Sequence, residues 1–203
     1  GRDGLLIISI LWAILLLNRL DMVLLMGPLA LGVLIDQYRS QRSLWPLGVG
    51  FCILSTWFVF ATIYFGSPLP NTYYAKLHTG FPATEYWTRG LDYLWVSLRT
   101  DPVGGMLLVS GVLAGIWGET RTRLVSLGIT LYLVYVIKVG GDFMVGRFMM
   151  PLIYLSVLNL IWVSQVWRFR SRLTGAVILM GIFLAIVFSS KSVLSGAEYA
   201  NGK

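Results

Sequence analysis

The chain is a succession of apolar runs separated by short polar clusters. The runs cover 5–17, 22–35, 45–65, 103–117, 124–137, 150–167 and 173–188. Several approach the roughly 20 residues that carry a helix across a bilayer core. Only helices and closed barrels satisfy their backbone polar groups in lipid. The pattern therefore predicts an all-α transmembrane helix bundle of about seven spans with short connections. The first two runs meet at Asn18-Arg-Leu-Asp21. Arg19 and Asp21 would be costly at mid-bilayer, so two short helices with a polar turn are expected there rather than one broken helix. Pro28 would kink the second. In the third run Trp45 and Tyr64 stand near the two ends, where an aromatic belt lies.

The pattern changes between 66 and 102. Gly66-Ser-Pro-Leu-Pro70 is rich in turn residues, and each proline biases its predecessor toward extended structure. From 84 to 98 polar and apolar residues alternate with a helical period. Tyr86, Leu91, Leu94 and Leu98 can share a face, with Trp87 and Trp95 at its edges. This predicts an amphipathic helix lying on the membrane surface or against the bundle. The run after it, 103–117, is rich in glycine and can approach its neighbours closely.

The basic residues set the topology. Arg39 with Arg42, Arg121 with Arg123, and Arg168 with Arg170 and Arg172 occupy every second connector. Total bases on the two sides are equal, but tight clusters in short loops beside spans count most, and they place these three connectors in the cytoplasm. The turn at 18–21, the segment 66–102, the stretch 139–149 and the C-terminal tail then share the extracytoplasmic face of a multi-pass protein of the plasma (inner) membrane.

Composition agrees. Of 203 residues, 57% are hydrophobic and 12% charged, about half the charge of a soluble domain. The net charge of +7 raises a nucleic-acid partner, but the bases form topology clusters and no continuous stripe, so that partner is excluded. The single cysteine, Cys52, lies in an apolar run, and no Cys/His cluster offers a metal site. The opening Gly1-Arg-Asp-Gly4 lacks the basic start, short apolar core and cleavage site of a signal peptide. The chain, 1–203, reads as a single transmembrane domain continuing a longer protein whose beginning is missing.

Candidate chemistry collects on the outer face. The stretch Val139-Gly-Gly-Asp-Phe-Met-Val-Gly-Arg-Phe-Met-Met-Pro151 carries Asp142 and Arg147 among three glycines, and 71–78 carries Asn71, Tyr73, Tyr74, Lys76 and His78. Lys and Arg beside tyrosine hydroxyls suit a phosphate or pyrophosphate. Aromatic faces suit sugar rings, and an aspartate can hold sugar hydroxyls or act as a base. Such a pocket would bind a lipid-linked phosphosugar. Each residue also has a plainer reading. Gly-rich charged loops are common between membrane helices, Tyr73 and Tyr74 fit a belt, His78 fits a surface, and Arg19 and Asp21 fit a turn pair.

Pro70-Asn-Thr-Tyr-Tyr-Ala-Lys76, preceded by Tyr64-Phe-Gly66, together with Gly140-Gly-Asp-Phe-Met-Val-Gly-Arg-Phe148, resembles the C-terminal part of bacterial GT-C-type polytopic membrane glycosyltransferases. The resemblance covers most of the chain and is greatest to the mycobacterial terminal arabinofuranosyltransferase family. Asn18-Arg-Leu-Asp21 is similar to the Arg-Pro-Asp or Arg-Pro-Glu turn of such enzymes, with Leu20 in place of the proline. The resemblance implies inverting transfer of a sugar from a polyprenyl-phosphate donor to a glycan or lipid acceptor outside the cytoplasm. It implies that Asp142 lines the pocket, that Lys76 and Arg147 neutralise the donor phosphate, and that Asn71, Tyr73 and Tyr74 shape the sugar site, with Arg19 and Asp21 secondary. The family's base is an acid in the first extracytoplasmic loop, which this sequence does not contain. Asp142 is the best candidate within the chain. Some GT-C enzymes use a divalent cation, for which the sequence shows no ligand set. A lipid-linked sugar transporter or a non-enzymatic accessory subunit is the alternative. Transporters set charges near mid-bilayer, whereas the charges here stand at the ends of the runs.

Overall fold

The computed structural model describes residues 2–69, 82–141 and 146–166. Within them the chain is helical, with seven helices and no strand: α1 (Arg2–Asn18), α2 (Met22–Arg39), α3 (Trp45–Phe65), α4 (Ala83–Thr100), α5 (Pro102–Trp117), α6 (Thr120–Lys138) and α7 (Met149–Val166). Three of these, α2, α3 and α6, are long and apolar enough to cross a membrane, while α1, α5 and α7 are shorter apolar helices. The run expected at 173–188 lies outside the described residues.

The helix ends follow from local chemistry. Pro46 occupies the first turn of α3, where its missing N–H costs nothing. That helix stops at Gly66, whose left-handed φ of 72° returns its N–H to the Thr62 carbonyl at 3.1 Å. Asp101 makes the corner between two helices. Its N–H closes α4 on the Ser97 carbonyl at 2.9 Å, and its carboxylate accepts the Gly104 N–H at 2.8 Å to cap α5. The basic stretch 119–123, expected as a loop, is instead mostly helix. The α6 helix begins at Thr120, with Thr122 buried and its hydroxyl donating to the Glu119 carbonyl at 3.0 Å. Loss of apolar character marks where a span leaves hydrocarbon, not where its helix ends. The connector expected at 36–42 shortens for the same reason, because α2 runs to Arg39.

The chain divides into two compact units, Gly1–Phe81 and Pro82–Lys203. In the first, α1 pairs with α3. The Ser9 hydroxyl accepts the Gly50 N–H at 3.0 Å and donates to the Leu47 carbonyl at 3.3 Å. A Cβ at position 50 would collide with Ser9, so the glycine sets how closely the two helices approach. Along α2 the buried residues are Met22 and Leu25, both in its first turn.

In the second unit α5, α6 and α7 pack around one another and α4 packs on α6 and α5. The core holds Ile129, Tyr132, Val136 and Leu152, all fully buried. Both units leave large apolar side chains facing outward, among them Phe51, Ile63, Ile116 and Tyr154. Exposed threonines on these helices satisfy their own hydroxyls. Thr56 donates to the Cys52 carbonyl at 2.8 Å and Thr62 to the Phe58 carbonyl at 2.7 Å. Large apolar side chains facing outward on helices of this kind are suited to lipid.

Candidate functional site

The stretch 139–151 is anchored at both ends by α4. At its start Gly140 and Gly141 take left-handed φ of 80° and 72°. The first lies beside Tyr86 and Arg89, and the second lies so close to the Tyr93 ring that a Cβ there would overlap it. Gly90 of α4 meets the Ile137 carbonyl in the last turn of α6, again with no room for a side chain. At the far end Gly146, φ 87°, starts a turn that delivers its carbonyl to the N–H groups of Met149 and Met150 at 2.9 and 3.1 Å. Phe148 then turns inward and is buried between Tyr93 and Tyr132, with both ring centroids 6.4 Å away in edge-on geometry. Its N–H donates to the Tyr93 hydroxyl at 3.4 Å.

With Phe148 inside, its neighbour Arg147 is left on the outside, where it lines a cavity of about 560 Å³. The walls are Ser97, Leu98, Thr100 and Asp101 from α4 and its corner, Gly104, Gly105 and Leu108 from α5, and Gly146, Met149, Met150 and Ile153 around the start of α7. Among the described residues, Arg147 is the one cation of this lining and Asp101 the one carboxylate. Asp101 is committed to capping α5. The Ser97 hydroxyl is buried with no hydrogen-bond partner among the described residues. A cleft of this size is in the range of small-molecule sites. Its apolar walls and single guanidinium suit an amphiphile with an anionic head.

The amphipathic helix presents a different packing face from the expected one. The residues of α4 that bury are Gly90, Tyr93 and Ser97, while Leu91 is exposed. The face is rotated because backbone proximity at Gly90 and the ring of Tyr93, rather than leucine burial, hold α4 to α6.

Arg19 and Asp21 form a bidentate ion pair in the turn between α1 and α2, at 2.6 and 3.1 Å. This matches the turn-pair reading. The pair belongs to the first unit and the cavity to the second. Asn71, Tyr73, Tyr74, Lys76, His78 and Asp142 lie outside the described residues. Among the described residues, no group of three or more His, Cys, Asp or Glu side chains could hold a metal ion.

One polar cluster went unread in the sequence. Asn159 of α7 is fully buried and donates to the Gly111 carbonyl of α5 at 3.0 Å, to the Ser126 hydroxyl of α6 at 3.0 Å and to the Thr122 carbonyl at 3.4 Å. Ser126 donates in turn to Gly111 at 3.0 Å. A Cβ on Gly111 would overlap Ser156, and one on Gly115 would overlap Ser126. The signal was present as Gly111-Val-Leu-Ala-Gly115 and as a lone asparagine in an apolar run. Small residues four apart and interhelical amides are how helices associate without a hydrophobic driving force.

Compared with family models, curated proteins and solved structures, the chain matches none.

Proposed function

We propose that the protein is a multi-pass membrane glycosyltransferase of the GT-C kind. It moves a sugar, arabinofuranose on the resemblance, from a polyprenyl-phosphate donor to a cell-envelope glycan or lipid on the extracytoplasmic face. The observation that carries the reading is the cleft between α4, α5 and α7, in which Arg147 stands among leucine, methionine and isoleucine side chains. A polyprenyl phosphate has the same two parts, an apolar chain and an anionic head. The Gly140–Phe148 motif forms one wall of this cleft through Gly146 and Arg147, so sequence resemblance and cavity chemistry meet at the same residues.

On this reading the described apolar helices and the run at 173–188 make up about seven spans, with the three arginine clusters cytoplasmic. The ends of α6 and α7 that flank 139–148 then lie at the outer surface. Arg147 and Lys76 bear on the donor phosphate and stabilise it as it leaves. This is electrostatic stabilisation of developing charge, commonly the largest single contribution to catalysis. Asp142 contacts sugar hydroxyls, and Asn71, Tyr73 and Tyr74 shape the sugar site. Asp101, occupied as a helix cap, does not serve as the base.

Donor engagement is tested with the protein in lipid vesicles and a polyprenyl phosphate carrying a photoreactive group near its phosphate. Crosslinking should map to the region of Arg147. Arg147→Ala should weaken it about tenfold, with Arg147→Lys intermediate, as expected for loss of a charge-assisted contact. Crosslinking that is unchanged in Arg147→Ala would remove the phosphate role.

A further inference from the structure

We infer that α4 is an interfacial membrane helix, held in the headgroup–acyl boundary by an outward face of Trp87, Leu91 and Trp95. At roughly 100° per residue these three fall within about 80° of arc, and all three are exposed. The neighbouring arc is already used: Gly90, Tyr93 and Ser97 face the second unit and are buried there. The third arc is polar and solvated, carrying Asp92 and the exposed Glu85–Arg89 pair at 2.6 Å. A helix with one protein face, one apolar face bearing two tryptophans and one charged face meets three environments at once. The boundary between protein, lipid and water is where those environments join.

The occupant follows from two observations. Trp95 stands in the C-terminal half of α4, a helix that a single corner residue, Asp101, joins to α5, whose Met106, Val109 and Leu113 are also exposed. The apolar face of α4 is therefore followed along the chain by an apolar helix whose own large side chains are exposed. Tryptophan also prefers the level of the headgroups over either bulk phase, because its ring is apolar and its N–H needs a partner. Gly90 of α4 meets the Ile137 carbonyl in the last turn of α6, and Gly140 and Gly141, just beyond that helix, lie against Tyr86 and Tyr93 of α4. Lipid at the headgroup level covers this stripe; a second protein is the outcome that the test excludes. The inference uses the membrane placement proposed above and not its chemistry.

The test uses the whole protein in phosphatidylcholine–phosphatidylglycerol vesicles. The single cysteine is removed by Cys52→Ser, and a polarity-sensitive fluorophore is attached in separate variants at Leu91→Cys, Asp92→Cys and Val134→Cys. Val134 is exposed on α6 and reports bilayer insertion independently of α4. Quenchers are a nitroxide high on the acyl chain, a nitroxide near the chain end, and aqueous iodide. The expected result is that the Leu91 label is quenched at least about twofold more by the shallow nitroxide than by iodide or the deep nitroxide, as interfacial burial requires. The Asp92 label should respond mainly to iodide and the Val134 label to lipid. If Val134 is quenched by lipid while Leu91 responds to iodide, or to no quencher, the interfacial assignment is overturned. If neither Val134 nor Leu91 is quenched by lipid, the membrane placement fails and takes the inference with it.

Discussion

The backbone N–H of Phe148 donates to the Tyr93 hydroxyl at 3.4 Å, and the two rings meet edge-on with centroids 6.4 Å apart. This joins the end of the Gly-rich stretch to the amphipathic helix, although 55 residues separate the two in sequence. Because Phe148 is held inside, Arg147 faces the cavity. Phe148→Ala should cost about 3–5 kcal/mol, the usual loss for a buried phenylalanine. Tyr93→Phe keeps the ring and loses one long hydrogen bond, so it should cost only about 0.5–1.5 kcal/mol. Thermal unfolding in detergent micelles would rank the two. Equal losses would mean that the ring packing is not what fixes the turn.

Gly141 and Gly146 both have positive φ, but their surroundings differ. A side chain at 141 would overlap the Tyr93 ring, while nothing lies within 4 Å of one at 146. Gly146→Ala should therefore cost about 1 kcal/mol, from backbone strain alone. Gly141→Ala should cost more, about 2–4 kcal/mol, because strain and overpacking add. Melting temperatures of the two variants, measured side by side, test the order. A reversed order would mean that the Tyr93 contact is not tight.

Asn159 supplies the donors that tie α7 to Gly111, Thr122 and Ser126. Asn159→Ala should cost about 1–3 kcal/mol by removing the buried interhelical hydrogen bonds that its amide donates. Asn159→Asp should cost more, since it puts a carboxylate oxygen where a donor stood, in a fully buried position. The check is unfolding of both variants in the same detergent. An aspartate variant as stable as the parent would show that the cluster is wetter than its burial indicates.

Much of the architecture was legible in the sequence because apolar run length and charge clustering are local signals. The break at Arg19 and Asp21 and the amphipathic helix, expected over 84–98 and observed over 83–100, each follow from a few adjacent residues. The packing face of α4 was not legible. It depends on Gly90 meeting a carbonyl of α6 and on Tyr93 covering Gly141, contacts between residues 47 and 48 positions apart that no periodicity encodes. The cavity was half legible. Arg147 was singled out by its motif, but the walls opposite it come from α4 and α5, whose approach to it no local pattern encodes. The buried amide of Asn159 was visible as an oddity in an apolar run, yet its role needed the glycines of another helix opposite it.

The most direct test of the central claim is sugar transfer by the protein as its own cell makes it. It would be reconstituted in lipid vesicles with a radiolabelled polyprenyl-phosphate arabinofuranose and an arabinan acceptor. Transfer of label to the acceptor is expected from the unaltered protein. Asp142→Ala should lower it by about 10- to 100-fold, the scale of losing a charge-assisted contact to the sugar hydroxyls, with donor crosslinking retained. No transfer by the unaltered protein would contradict the transferase account and leave a lipid-linked sugar transporter or accessory subunit in its place, and transfer undiminished in Asp142→Ala and Arg147→Ala alike would contradict the roles given to those two residues.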